Sequence, residues 1–313
     1  MNRMATERFP ALVLEGEGAG KRALITGLRG FTGHYLAQEL SAAGYRVVGT
    51  ALAGESGGPD IFTVDMCDRD AVAAMIAEVQ PDVVAHLAGI AFVAHANTEL
   101  IYRVNILGTR NLLEALAAQR HQPSAVLLAS SANIYGNAGV SVIDESVAPA
   151  PANDYAVSKL AMENMARLWT DQLPIIIARP FNYTGVGQAD NFLLPKIVSH
   201  FRKGALDIEL GNLAIARDFS DVRMVATSYR RLLAVAPAGQ CFNVCSGQAH
   251  SLSSVIGVMS SIAGYDIEVR VNPAFVRAND VLTLVGSNAK LTSVIGEVPP
   301  TPFSDTLRWM YLA

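Results

Sequence analysis

Tyr155 and Lys159 stand four residues apart in the run Tyr155-Ala-Val-Ser-Lys159, a spacing that puts both on one face of a helix. A nearby ammonium favours the phenolate and so lowers a phenol's pKa from its unperturbed ~10. Such a pair can give and take a proton near neutral pH. Far upstream, Gly27-Leu-Arg-Gly30-Phe-Thr-Gly33 follows the apolar run Ala23-Leu-Ile-Thr26 and opens a segment of helical period. A glycine turn between strand and helix lets backbone approach a pyrophosphate, whose charge the helix N-terminus favours. Together the two motifs imply proton transfer beside a dinucleotide that carries hydride. Each alone has an ordinary reading, since glycine triplets also make plain tight turns and Tyr/Lys pairs decorate exposed helices.

The elements needed to hold these residues are legible as alternating patterns. Strand-like apolar runs at 22–26, 46–50, 61–64, 82–87, 124–130 and 174–178 alternate with helical segments near 31–43, 69–79, 98–119 and 155–172. That alternation predicts an α/β fold with a Rossmann-type, doubly wound parallel sheet. Pro81 and Pro123 stand just before the fourth and fifth runs, where proline ends a preceding helix. After Arg179-Pro-Phe-Asn182 the segments shorten, with turn-rich stretches at 185–190, 211–212 and 246–251. This part reads as a smaller, interleaved C-terminal substrate-binding lobe. The expected division is a tail over 1–20, a dinucleotide-binding domain over 21–180 with about 218–245, and the second lobe over 181–217 and 246–313.

Composition limits the alternatives. The chain has 313 residues, 51% hydrophobic and 17% charged, with a net charge of −4. That describes a filled globular core, and it gives no support for nucleic-acid binding. No apolar run approaches the ~18 residues of a membrane span. The first twenty residues lack an apolar stretch and carry Glu7, Glu15 and Glu17, unlike a secretory signal. Of three cysteines, Cys241 and Cys245 flank Phe-Asn-Val with no histidine at ligand spacing, so structural thiols, no metal and a cytoplasmic setting are expected.

Further motifs extend the pattern. They are Val64-Asp65-Met66, His86-Leu-Ala-Gly89, Asn105-Ile-Leu-Gly-Thr109, Ser130-Ser-Ala-Asn-Ile-Tyr-Gly136, Ala178-Arg-Pro-Phe-Asn182, Arg217-Asp-Phe-Ser-Asp221, Phe242-Asn-Val-Cys-Ser-Gly247 and Arg277-Ala-Asn-Asp280. With the two opening motifs they resemble the extended short-chain dehydrogenase/reductase family acting on nucleotide-activated sugars, from Lys21 to about Met310. Within it, the motifs are most similar to the GDP-4-keto-6-deoxymannose reductases. The resemblance implies Tyr155 as general acid/base, Lys159 on the nicotinamide ribose, Ser131 on the reacting oxygen and Asn105 steadying the active-site helix. It implies a cofactor site of Gly27, Arg29, Gly30, Phe31, Thr32, Gly33, Asp65, Met66, Leu87, Ala88 and Gly89, together with Tyr155 and Lys159. Asn182, Arg217 and Arg277 would then meet the nucleotide diphosphate, where arginine offers forked donors. Read from the residues alone, Asn105 is also a plain buried amide, and Arg217 and Arg277 are also surface ion-pair partners. His86 is assigned no catalytic role.

Two departures from the family pattern narrow the chemistry. Dehydratases of the family carry an Asp-Glu pair after the serine, whereas this chain has Ala132 and Asn133, which have no ionisable proton. The second strand ends in Gly49-Thr-Ala-Leu-Ala53 with no carboxylate before Glu55, so the ribose 2′-hydroxyl of NAD has no obvious acceptor. Arg29 could face a 2′-phosphate, which favours NADP(H) over NAD(H). Expected, then, is reduction of the 4-keto group of an NDP-4-keto-6-deoxyhexose. The alternatives are a 4-epimerase holding NAD and a non-catalytic dinucleotide sensor. A homodimer is expected through helices 98–119 and 155–172, with Val157, Leu160, Ala161 and Leu168 covering the sheet and Met162, Ala166 and Trp169 pointing away.

Overall fold

The computed structural model describes residues 16–55, 57–91, 97–213, 215–273 and 283–313. Its strands are β1 (Arg22–Thr26), β2 (Arg46–Ala51), β3 (Ile61–Thr63), β4 (Val83–His86), β5 (Ala125–Ala129), β6 (Ile175–Pro180), β7 (Asn182–Thr184), β8 (Asp207–Leu210), β9 (Ala216–Asp221), β10 (Cys241–Val244), β11 (Ala249–Ser251), β12 (Glu268–Val271) and β13 (Thr283–Leu284). Its helices are α1 (Phe31–Ala42), α2 (Arg69–Val79), α3 (Thr98–Tyr102), α4 (Thr109–Ala117), α5 (Asp154–Ala166), α6 (Leu193–Arg202), α7 (Val222–Val235), α8 (Leu252–Ala263), α9 (Ala289–Ile295) and α10 (Phe303–Leu312).

The seven-stranded sheet has the order β10-β6-β5-β4-β1-β2-β3, every pair parallel. Its central strands are near-continuous runs of Val, Ile, Leu and Ala because both faces are covered. One face packs on Leu36 and Leu40 of α1, Val225, Tyr229 and Leu232 of α7, and Leu291 and Ile295 of α9. The other packs on Val72 and Ile76 of α2, Leu112 and Leu116 of α4, and Met162 and Ala166 of α5. A separate core joins α6, α8 and α10 around Phe201, Val255, Met259 and Leu307. There β9 pairs with β7, β11 and β13.

The segment just ahead of β1 is built into the fold. Buried Arg230 of α7 forms ion pairs with Glu17 and Glu39, and the Gly18 N–H donates to the Ala43 carbonyl.

Residues 98–119 do not make one regular helix. Between α3 and α4, residues Arg103–Gly108 take a π-turn. Gly108 lies flat on Met66, where an added Cβ would sit 3.1 Å from the methionine Cβ. The Thr109 hydroxyl donates to the Asn105 carbonyl at 2.8 Å. The bulge turns Asn105 inward.

The expected assignment of faces on α5 and the turn after it is reversed at four positions, while Leu160 and Ala161 are half-buried and Leu160 packs on the cluster around Ile134. Met162 and Ala166 are buried against the sheet, while Val157 and Leu168 are exposed. Tyr155 and Lys159 must face the sheet end, and residues seven and eight positions along a helix share that face. Trp169 is partly buried against the same core.

Candidate active site

The first turn of the site is set by close backbone packing. Gly27 has φ +73°, and a Cβ there would lie 3.0 Å from the Ala88 nitrogen and 3.1 Å from its Cα. Only glycine meets both demands. A Cβ on Gly33 would lie 2.7 Å from the Leu28 oxygen and closer still to the Gly27 oxygen. Gly30 is the extended residue ahead of α1. The result is a bare backbone cradle at a helix N-terminus, which fits a pyrophosphate. Gly89 continues it: a Cβ there would meet the Asn105 Oδ1 at 2.9 Å and the Lys159 Nζ at 3.3 Å.

Ser131 is brought to Tyr155 by the end of β5. Its extended backbone caps the short 3₁₀ turn Ala132–Tyr135, and its hydroxyl accepts from the Asn133 N–H at 3.2 Å. The same hydroxyl lies beside the Tyr155 phenol and favours its charged form. Lys159, one turn further along α5, donates from Nζ to the Ala129 carbonyl at 2.8 Å. All three side chains are buried.

Burial governs both titrating groups, and this corrects the expectation that the ammonium lowers the phenol. Burial pushes Tyr155 up to about 12, with the Ser131 hydroxyl pulling the other way and Tyr183 adding to the rise. Burial brings Lys159 down to about 8, partly offset by Glu163. Desolvation disfavours whichever form is charged, so an apolar site moves the two groups in opposite directions.

Asn105 is a fully bonded amide. It accepts from the Ile90 N–H at 2.9 Å and donates to the Ile90 carbonyl at 3.2 Å and the Ser158 hydroxyl at 3.0 Å. Ser158 in turn donates to the Tyr155 carbonyl. The amide therefore ties the loop after β4 to α5.

His86 runs a second tie. The Thr109 hydroxyl gives its proton to Asn105, so it accepts from His86 Nε2–H at 2.8 Å. His86 Nδ1 then accepts from Thr26, 2.7 Å away, whose oxygen also accepts from the Ala88 N–H at 3.2 Å. Burial and then Lys159 push the imidazole down to about 3, so it stays neutral and links β1, β4 and the π-turn.

Of the remaining expected residues, Met66 is buried and its carbonyl accepts from Asn111 at 3.0 Å. Exposed Asp65 turns its carboxylate onto the Cys67 N–H at 2.8 Å. Leu87 and Ala88 lie between β4 and Gly89. Asn182 on β7 pairs with Phe219 on β9, two residues beyond Arg217, so alternation puts Asn182 and Arg217 on one sheet face. Arg277 lies outside the described residues.

Several residues at the site had no signal in the motifs. Tyr183 is hydrogen-bonded to Thr32 at 2.7 Å and stacks on Phe31 with ring centroids 6.0 Å apart. This bridges the glycine turn and the strand carrying Asn182. Tyr35 donates to the Val186 carbonyl at 2.6 Å, a second bridge. Glu55, four residues past the end of β2, doubles back so that its carboxylate accepts from the Leu52 N–H at 2.7 Å. Arg29 reaches the same loop, donating to the Gly57 carbonyl at 3.4 Å.

The profile of the NAD dependent epimerase/dehydratase family matches residues 23–245. GDP-6-deoxy-D-talose 4-dehydrogenase of Aggregatibacter actinomycetemcomitans is 34% identical over 278 residues, covering 88% of this chain and 91% of its own. GDP-6-deoxy-D-mannose reductase of Pseudomonas aeruginosa is 35% identical over 299 residues, covering 92% and 95%. Among solved structures, a candidate epimerase from Burkholderia cenocepacia J2315 is 55% identical with a TM-score of 0.89, covering 94% of this chain and 97% of that one. RMD from Pseudomonas aeruginosa complexed with NADPH is 32% identical with a TM-score of 0.81, covering 93% and 98%.

Proposed function

The chain belongs to the NAD dependent epimerase/dehydratase family, and from that premise we propose that it reduces the 4-keto group of an NDP-4-keto-6-deoxyhexose with NADPH or NADH. The observation that carries this reading is the burial together of Ser131 at the end of β5 and Tyr155 and Lys159 one turn apart on α5, with Lys159 bonded to the Ala129 carbonyl of β5. The names of the two curated relatives support the substrate class.

A nicotinamide held here would supply the hydride that C4 accepts. The bare backbone of Gly27, Gly30 and Gly33, with Arg29, Phe31 and Thr32, would hold its pyrophosphate. Asp65, Met66, Leu87, Ala88 and Gly89 would line the rest. Tyr155 is held neutral by burial, so it enters the reaction as the acid and gives its proton to the oxygen on C4. Ser131 donates a hydrogen bond to that oxygen as charge develops, the kind of preorganised stabilisation that dominates carbonyl chemistry. Lys159, while charged, favours the phenolate left behind. Asn182, Arg217 and Arg277 would hold the diphosphate. Ala132 and Asn133 offer no acid–base pair for dehydration.

NADPH is the favoured donor, supported by Arg29 beside the loop after β2 and by the NADPH complex of RMD. Glu55 opposes it, since a carboxylate at the strand end suits the 2′-hydroxyl of NAD. A 4-epimerase is the second reading, favoured by the 55% identical candidate epimerase.

A homodimer fits the face left over on α3, the π-turn and α5. Leu100, Leu107, Val157 and Leu168 are 45%, 51%, 38% and 78% exposed. Exposed apolar residues on neighbouring elements support a partner surface here. Sedimentation showing a monomer at micromolar concentration would count against it. No described helix is long and apolar enough to cross a membrane, and three free thiols suit a reducing cytoplasm.

The deciding experiment offers GDP- and dTDP-4-keto-6-deoxy sugars with NADPH or NADH, following 340 nm absorbance and product configuration by NMR. Stoichiometric loss of reduced cofactor is expected. Interconversion of saturated 4-epimers without net absorbance change would replace reductase by epimerase.

A further inference from the structure

Behind the three proposed catalytic side chains lies an ion pair that the mechanism does not use. Glu163 is 0% exposed, on α5 one turn beyond Lys159 and two beyond Tyr155. Arg179 of β6 grips it with both arms of its fork, Nε to Oε1 at 3.0 Å and Nη2 to Oε2 at 2.7 Å. The Ser130 hydroxyl donates to the same carboxylate.

The network continues to the far end of the serine segment. Arg179 Nη1 donates to the Tyr135 hydroxyl at 2.8 Å, and Tyr135 donates to Asn243 of β10 at 2.7 Å. Segment 130–135 is therefore held at both ends, Ser130 by Glu163 and Tyr135 by Arg179. Ser131 lies within that span.

A buried ion pair is a poor way to stabilise a fold, because desolvation of both ions offsets their attraction. Its placement points to another role. The proposed catalytic groups sit on two elements, Ser131 at the end of β5 and Tyr155 with Lys159 on α5. The Ser130–Glu163 bond is a side-chain tie between those elements, one residue from Ser131. Lys159 makes the neighbouring tie, to the Ala129 carbonyl.

We propose that Glu163 is a positioning residue for the reaction, holding Ser131 through Ser130 and presenting its carboxyl group one helical turn from Lys159. This rests on the reading of Ser131, Tyr155 and Lys159 given above. The titratable groups near the Glu163–Arg179 pair are Lys159 from α5, Tyr135 from the 3₁₀ turn, Cys241 from β10 and, beyond Lys159, neutral His86 from β4. Arg179 stays charged, its pKa moved further up, since the ion pair with Glu163 outweighs its burial. The ion pair holds the Glu163 carboxyl group in place one helical turn from Lys159.

Three variants test the proposal. Ser130→Ala removes the tie and leaves the ion pair. Glu163→Met with Arg179→Met removes both charges together, an exchange that commonly preserves folding. Glu163→Gln removes the carboxylate from beside Lys159. Ser130→Ala and the folded double variant should lose at least tenfold in kcat, with melting temperature and NADPH affinity near those of the wild type. If the double variant does not fold, Ser130→Ala decides. In Glu163→Gln the Lys159 titration, followed by NMR of ¹³C-labelled lysine, should move to lower pH. A kcat within twofold of wild type in folded Ser130→Ala, or a Lys159 midpoint unmoved in Glu163→Gln, overturns the proposal. Wild-type protein inert toward every 4-keto sugar nucleotide would sink the functional reading instead, and the lysine titration would still decide the role of Glu163.

Discussion

Replacing Gly33 by alanine puts one methyl group where the first turn of α1 rests on the glycine turn. The new Cβ would lie 2.7 Å from the Leu28 oxygen and 2.8 Å from the Leu28 Cα, against about 3.4 Å for ordinary contact. Relief of the Leu28 contact alone asks for a shift of about 0.7 Å, and the nearer Gly27 oxygen asks for more. The neighbours are backbone, so no side chain can swing aside. Overpacking of this kind costs about 1–3 kcal/mol. Alanine recovers about 0.5–1 kcal/mol of helix preference over glycine. The net loss of stability is roughly 0–2.5 kcal/mol, a fall of at most about 10 °C in Tm for a chain of this size. Cofactor binding should suffer more, because the displaced backbone is the proposed pyrophosphate cradle. A tenfold or larger rise in the NADPH Kd is expected, equal to about 1.4 kcal/mol or more. Fluorescence titration with NADPH and thermal melting measure the two effects separately. Gly257→Ala in α8 is the control, since its Cβ would meet nothing within 4 Å. That variant should gain stability and leave the Kd unchanged. An NADPH Kd within twofold of wild type in Gly33→Ala would refute the reasoning, and with it the placing of the pyrophosphate.

Tyr155→Phe should lower kcat by ~10²–10⁴-fold while NADPH affinity is kept, because the ring remains and only the transferable proton is lost; near-normal turnover would remove Tyr155 from the mechanism. As pH rises through about 8, Lys159 loses its charge, so kcat should fall across that pH in wild type and show no such limb in Lys159→Met. Tyr155, pushed up to about 12, does not account for a limb near 8. His86 is held neutral down to about 3, so below its ordinary ~6.5 the unfolded chain takes up a proton that the native state refuses. Stability from this group should therefore be lost as pH falls from 6.5 toward 3, and urea unfolding of His86→Gln should show a flatter pH slope. Arg217→Ala and Arg277→Ala should raise the KM for the sugar nucleotide by about 1.5–3 kcal/mol, the range for a charge-assisted contact, with little change in the KM for NADPH; unchanged values in both would put the diphosphate elsewhere.

What the sequence determined by itself is what depends on near neighbours along the chain. Apolar runs alternating with helical segments specify a parallel sheet covered on both faces, and β1 to β6 fall where those runs lie. Glycines at 27, 30 and 33 announce a turn with no room for side chains, because the demand is local to one strand-turn-helix unit. The spacing of Tyr155 and Lys159 fixes their common face through helix geometry alone. The faces of α5 were misread for a related reason. Apolar residues surround that helix, so its sequence holds no contrast to say which side is buried, and only packing under the sheet assigns Met162 inward and Leu168 outward. The π-turn at Asn105 depends on Met66 lying under Gly108, and Met66 comes from the far side of α2 in the chain. Glu163 and Arg179 become partners only when β6 is laid beside β5, and Thr32 meets Tyr183 across 151 residues. Desolvation likewise has no expression in the sequence, since it is set by what surrounds a group on all sides. That is why the ammonium next to the phenol in sequence order does not set its pKa, and burial does.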